Sequence, residues 1–264
     1  MKNEIIRSLN ELAQSQNVTI LYACESGSRA WGFPSPDSDY DVRFIYVHEC
    51  DWYLSIFDER DVIEQPINDL LDIGGWDLRK ALQLLYKSNG PLTEWLHSPI
   101  IYRQNREILI SLQKLAALSF QPLSVCHHYL GMANNGWVAV NGQASIKVKR
   151  YFYVLRALLC CEWIVNEKTI PPVEFLVILE RYYPSGEFRA AIDQLLVMKS
   201  QSNESDKTQR QDYSALLDVV DIRITELFKS IPENFPINPE KADKSIFDNT
   251  FCTILKSLVS VEGQ

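Results

Sequence analysis

Two β-rich runs near the N-terminus, Val18-Thr19-Ile20-Leu21-Tyr22-Ala23 and Val42-Arg43-Phe44-Ile45-Tyr46-Val47, are separated by a glycine-serine turn and a short polar connection. The turn lies in Gly27-Ser28-Arg29-Ala30-Trp31-Gly32, and the second run is entered through Pro36-Asp37-Ser38-Asp39-Tyr40-Asp41. That order constrains the fold to a strand, a turn, and a second strand that opens on paired aspartates. Residues i and i+2 of a strand project from one face, so Asp39 and Asp41 point together and Tyr40 points the other way. Two carboxylates held that close repel each other unless a cation lies between them, and hard oxygen donors suit Mg²⁺. An isolated D-x-D is more often the turn chemistry of a surface loop. The flanking strands make this one a candidate site. A turn rich in backbone N–H groups beside a divalent-metal site suits transfer of a nucleotide from a triphosphate.

The chain has 264 residues, 46% of them hydrophobic, enough for one large or two modest domains. A net charge of −8 excludes a generally basic nucleic-acid coat, so any RNA contact must rest on a local patch. The six cysteines (Cys24, Cys50, Cys126, Cys160, Cys161 and Cys252) show no metal-binding spacing and read as reduced thiols. Charges in Met1-Lys2-Asn3-Glu4 argue against a signal peptide, and no apolar run reaches the length of a membrane span. The expectation is a soluble cytoplasmic protein with no membrane partner.

Ile5, Leu9 and Leu12 predict an opening amphipathic helix over 4–14. After the two strands, 61–64 and 70–73 read as two more, joined by a turn at Pro66-Ile67-Asn68-Asp69. Gly74-Gly75 reads as a break, followed by a helix over 76–85 with Asp77 in its first turn, and a short helix over 92–96. Helical periodicity then dominates over 105–118, 124–133, 145–166, 172–182, 187–198 and 213–229. The polar stretch 199–211 reads as a mobile connection, and a Pro/Asn-rich tail closes the chain. The pattern is α+β, with a mixed catalytic module at 1–100 and an all-helical domain at 101–264.

Gly27-Ser28 followed by Asp39-x-Asp41 on the next strand resembles the signature of the DNA polymerase β-like nucleotidyltransferase superfamily. Further blocks are similar to its RNA-repair-pathway family: Gly75-Trp76-Asp77-Leu78-Arg79-Lys80-Ala81-Leu82, Glu94-Trp95-Leu96, and Lys147-x-Lys149-x-Tyr151-x-Tyr153-x-Leu155-Arg156. The resemblance implies a mixed sheet flanked by helices, a triphosphate held at Gly27 and Ser28, and two Mg²⁺ or Mn²⁺ ions held by carboxylates. It also implies a third carboxylate in an apolar-acid-apolar setting on a later strand. Asp72 fits that setting best, Asp77 is the reserve, and Glu64 fits less well. The reaction implied is transfer of a nucleoside monophosphate to a hydroxyl, an RNA end being the acceptor that the family name suggests. A protein or small-molecule hydroxyl and a catalytically silent nucleotide-binding module are the alternatives.

Arg29 either adds hydrogen bonds to the triphosphate or faces outward from its turn. Lys149, Tyr153 and Arg156 share one helix face and, turned towards the nucleotide, would bind phosphate and stack a base. The alternative is a solvated basic helix. Trp76 and Trp95 read as packing residues. His127 and His128, adjacent on a helix, diverge by about 100° and make a poor metal pair.

Overall fold

A computed structural model describes residues 1–65 and 70–262, and the turn expected at 66–69 lies outside the described residues. The strands are β1 (Thr19–Glu25), β2 (Tyr40–Val47), β3 (Val62–Glu64), β4 (Leu71–Asp77), β5 (Ile101–Gln104), β6 (Ser145–Ile146) and β7 (Thr208–Gln209). The helices are α1 (Lys2–Ser15), α2 (Gly27–Trp31), α3 (Leu78–Tyr86), α4 (Gly90–Leu96), α5 (Arg106–Leu118) and α6 (Pro122–Val138). They continue with α7 (Val148–Glu167), α8 (Phe175–Tyr182), α9 (Glu187–Gln201), α10 (Ser214–Glu233) and α11 (Lys244–Glu262). No single helix among the described residues is long and apolar enough to cross a membrane.

The chain forms two compact units, each assembled from separated stretches. The first holds residues 1–27, 39–120 and 240–264, and the second holds 28–38 and 121–239. A reading along the chain places one boundary near residue 100, whereas these units exchange segments.

In the first unit a five-stranded sheet runs in the order β3-β4-β2-β1-β5. Only the β2–β4 pair is parallel, which makes the sheet mixed. The helical spacing of Ile5, Leu9 and Leu12 puts a stripe of α1 onto one sheet face, in a core with Val42, Phe44, Tyr46, Leu71 and Ile73. Each such buried side chain contributes on the order of 2 kcal/mol. On the other face Trp76 stacks on Trp95 of α4 at 3.9 Å between centroids, and Tyr22 donates its hydroxyl proton to the Trp95 carbonyl at 2.6 Å. Both tryptophans are packing residues, as expected.

Gly74-Gly75 does not break the chain: β4 runs through both to Asp77, and α3 starts only at Leu78. Phe44 pairs with Gly75 across the parallel ladder, and a Cβ on Gly75 would lie 2.3 Å from the Phe44 ring. The glycine is therefore space for an aromatic ring. Asp77 is the cap of α3 rather than part of its first turn, accepting the Arg79 N–H at 2.7 Å.

In the second unit α7 is the central helix, buried along much of its length, with α6, α8, α9 and α10 packed against it. Gly136 of α6 allows close approach, since a Cβ there would meet Val154 at 2.8 Å. Residues 28–38 join this core through Phe33, whose ring lies 5.1 Å from Phe152 and 5.5 Å from Phe175. Three further expectations need correction. The helix expected from 145 starts at Val148, because Ser145–Ile146 pairs with Thr208–Gln209. The stretch 199–211 is anchored rather than a loose connection: Lys199 is buried at the end of α9. The tail carries α11, which packs on α3.

Candidate active site

Strand pairing brings together Asp41 and Asp72. They are direct partners in the parallel β2–β4 register, so both side chains leave the same face of the sheet. Arg43, two residues beyond Asp41, shares that face. Its Nη2 donates to Asp72 Oδ2 at 2.6 Å and to Asp41 Oδ1 at 3.1 Å, while Nη1 donates to the Asp72 carbonyl at 2.8 Å. Arg43 pairs with Gly74 across the parallel ladder. One cation thus offsets the repulsion of two half-buried carboxylates. Asp39 is exposed and immediately precedes β2, which starts at Tyr40.

The N-terminal support of Asp41 is a buried acid that sequence reasoning missed. Glu25, at the end of β1, is fully buried and accepts the Asp41 N–H at 2.8 Å. Its other carboxylate oxygen takes the Tyr102 hydroxyl of β5, and its backbone carbonyl takes the Ser98 hydroxyl at 2.6 Å. Ser26 N–H donates to the Asp41 carbonyl at 2.8 Å. Gly27 follows with φ +60°, and a Cβ there would lie 2.1 Å from Asp41 Oδ2. The Gly-Ser turn is therefore the opening of α2, set with its glycine backbone against the Asp41 carboxylate.

Asp77, the reserve carboxylate, lies away from the Asp41–Asp72 rung. It pairs with Tyr46 at the far end of the ladder, five residues beyond the Asp41–Asp72 rung, roughly 16 Å along the strand. There it accepts the Tyr53 hydroxyl at 2.6 Å as well as capping α3. Burial pushes its carboxyl up, against those hydrogen bonds. Glu64, on β3 across from Gly74, is exposed and ion-paired with Arg60 at 2.9 Å. His127 and His128 are exposed, with ring contacts to Phe235 and Tyr129 respectively.

In the second unit the residues after Gly27 rest on α7. Ser28 Oγ donates to Ser38 Oγ at 3.2 Å, and Arg29 Nη2 donates to the Ser38 carbonyl at 2.6 Å. Trp31 lies 5.2 Å from the exposed Tyr153 ring, and the Arg156 guanidinium stacks 4.4 Å above Trp31. Tyr153 and Arg156 do share the helix face expected, but Arg156 is only 3% exposed and donates to the Val173 carbonyl at 3.3 Å. It braces the Trp31 turn instead of presenting a cation to solvent.

Lys149 has a partner that no sequence signal announced. Its Nζ donates to Glu204 Oε2 at 2.6 Å, and Ser38 Oγ donates to Glu204 Oε1 at 2.8 Å. Asp37 accepts the Glu204 N–H at 2.9 Å, and the buried Lys199 donates to Ser35 Oγ at 2.8 Å. Burial alone would raise the Glu204 carboxyl, yet the hydrogen bonds from Lys149 and Ser38 and the charges of Lys149 and Lys199 bring it below the usual carboxylate range. Burial pushes the Lys199 ammonium down, opposed by Glu204 and Asp37.

Among the described residues no three His, Cys, Asp or Glu side chains converge closely enough to enclose a metal ion as they stand. The donor chemistry of Asp41 and Asp72 nevertheless fits a hard divalent ion: two adjacent carboxylates on one face, already holding a cation.

A model of the RNA repair pathway DNA polymerase beta family, RlaP, matches residues 1–251. An uncharacterized protein of Bacillus subtilis (strain 168), YcgL, is 49% identical over 212 residues, which is 80% of this chain and 82% of that protein. Among solved structures, a nucleotidyltransferase-like protein from Exiguobacterium sibiricum 255-15 aligns with a TM-score of 0.31 and 14% identity, over 86% of this chain and 75% of that one.

Proposed function

The chain belongs to the RNA repair pathway DNA polymerase beta family, and from that premise we propose that it transfers a nucleoside monophosphate from a nucleoside triphosphate to a hydroxyl at an RNA end. The observation that carries the reading is the Asp41–Asp72 rung, set on neighbouring parallel strands with the Gly27 backbone against Asp41. Asp41 and Asp72, joined by Asp39 at the mouth of β2, are the residues that would hold Mg²⁺ or Mn²⁺. Divalent ions there supply acidity to the attacking hydroxyl and charge neutralisation to the departing pyrophosphate. Glu25 keeps Asp41 aimed by holding its N–H. Gly27 lets a phosphate approach the backbone there without meeting a Cβ.

Lys149 and Ser38 form an anion subsite within the second unit, since both already donate to the two oxygens of one carboxylate. A phosphate offers the same acceptors. A silent nucleotide-binding module is the second reading, favoured by the Arg43 guanidinium that bridges the carboxylates.

The test is to incubate the purified protein with each labelled nucleoside triphosphate, Mg²⁺ or Mn²⁺, and a panel of RNA ends. Asp41→Asn and Asp72→Asn are expected to keep the fold and lose pyrophosphate release. Undiminished turnover in D41N would refute the site, and no transfer by the wild type to any RNA, protein or small-molecule acceptor would favour the silent reading.

A further inference from the structure

Helices α3 and α11, both in the first unit, enclose a groove of about 500 Å³ that has no part in the chemistry above. Its position is remote from the carboxylates, because α3 begins where β4 ends, beyond Asp77. The floor is aromatic, with Tyr86, Phe247 and Phe251, and Tyr86 meets Phe247 edge-on at 5.5 Å. The rim is cationic. Arg79, Lys87 and Lys244 line the groove against one carboxylate, Asp248, which makes the lining net positive in a chain of net charge −8.

The cations lie over the ring faces. Lys241 and Lys244 each place Nζ 5.7 Å from the Tyr86 centroid, and the Arg79 guanidinium lies 5.7 Å from that of Phe251. Arg79 is itself held in place, 4.9 Å over the Tyr53 ring and donating to the Tyr53 carbonyl at 3.2 Å. Lys87 and Lys244 are exposed, and Lys244 is held over Tyr86 by a ring contact that an anion could compete for. An apolar aromatic floor with a rim of ammonium groups matches a ligand that is flat at one end and anionic at the other.

We propose that the α3–α11 groove binds a nucleotide of single-stranded RNA, with a base taking the place of the flexible Lys241 and Lys244 ammonium groups over Tyr86 and the flanking phosphates drawing Lys87 and the displaced Lys244. Stacking supplies a sequence-tolerant attraction and the ammonium groups supply the electrostatic one, the combination by which single strands are held without base reading. The proposal rests on the transfer reading only for RNA being the strand that arrives; the groove chemistry is independent of the carboxylates.

The test is fluorescence anisotropy of a labelled ten-nucleotide RNA, with free adenosine monophosphate and inorganic polyphosphate as competitors. The Lys87→Glu, Lys244→Glu double variant changes two exposed side chains and is expected to weaken RNA binding by tenfold or more. The slope of log affinity against log salt should become shallower by about 1.4, roughly 0.7 for each phosphate that a lysine no longer neutralises. Binding is read without triphosphate or divalent ion, so a failed transfer assay and a failed groove are told apart. Equal RNA affinity in wild type and double variant overturns the proposal. Competition by polyphosphate as effective as by RNA removes the stacking role and overturns it too. Monophosphate binding as tight as RNA, charge for charge, would make the groove a free-nucleotide pocket and overturn the strand assignment.

Discussion

Asp41 and Arg43 stand two residues apart on β2 and leave the same face, so the guanidinium that calms the carboxylates also lies where a divalent ion would be drawn. The two cations compete for the same oxygens. Arg43→Ala removes both the competitor and one positive charge, in a site where all three side chains are less than a third exposed. Mn²⁺ affinity is expected to rise about tenfold, on the order of 1–2 kcal/mol, read by electron paramagnetic resonance. Weaker Mn²⁺ binding in R43A would instead make Arg43 the residue that positions the carboxylates. Gly27 is constrained from two sides, by its φ of +60° and by the 2.1 Å approach of a Cβ to Asp41 Oδ2. Gly27→Ala should cost about 1–2 kcal/mol of stability from the left-handed backbone alone. It should also displace the Asp41 carboxylate, so that Mn²⁺ binding falls while the urea midpoint drops. A G27A variant with wild-type midpoint and affinity would contradict this.

Elements whose residues follow one period were legible in the sequence: the α1 stripe, the two runs that became β1 and β2, and the α+β division. The Asp41–Asp72 rung was reachable only through resemblance, because pairing of residues 31 apart in sequence leaves no local pattern. Gly74-Gly75 misled for a physical reason. Glycines are turn residues in isolation, but in a strand between two neighbours Gly75 admits the Phe44 ring. The stretch 199–211 misled in the opposite way, since a polar sequence says nothing of a tertiary ion pair. Glu204 ties that stretch to Ser38 and Lys149, and its lowered pKa sets the sign of a pH effect. A carboxyl with a depressed folded pKa stabilises fully above its unfolded value and loses that contribution as pH falls through the folded one. Glu204→Gln is expected to lower stability by about 1–2 kcal/mol at pH 7. The gap between wild type and E204Q in urea denaturation should close as pH falls below the ordinary carboxylate range. A gap that stays constant to acid pH would show that the carboxylate charge plays no part in fastening this stretch.

At the scale of the molecule the chain passes between its two units four times, after residues 27, 38, 120 and 239, so no single cut separates them. The consequence is sharpest for a fragment ending at residue 100, where the sequence alone places a boundary. Such a fragment lacks β5, which covers β1 on the side away from β2. It loses Tyr102 with that strand, and with it the hydroxyl that satisfies the fully buried Glu25 carboxylate. It also lacks α5, whose Ile108, Leu112 and Leu115 are buried against the helices of this unit, and α11, whose Phe251 packs on Tyr53. An unsatisfied buried carboxylate and the loss of several core side chains at about 2 kcal/mol each exceed the roughly 5–15 kcal/mol that a folded domain has to spare. A chain ending at Pro239 loses α11 alone, with its buried Phe247 and Ile254, and is expected to fold with a lowered melting temperature. Residues 1–100 are expected to give a collapsed amide spectrum and no cooperative melt, whereas 1–239 should give a dispersed spectrum and a cooperative melt below that of the full chain. A dispersed spectrum from 1–100 would mean that the sheet needs neither β5 nor the helices that follow it, and that the interleaving of the two units is incidental to stability.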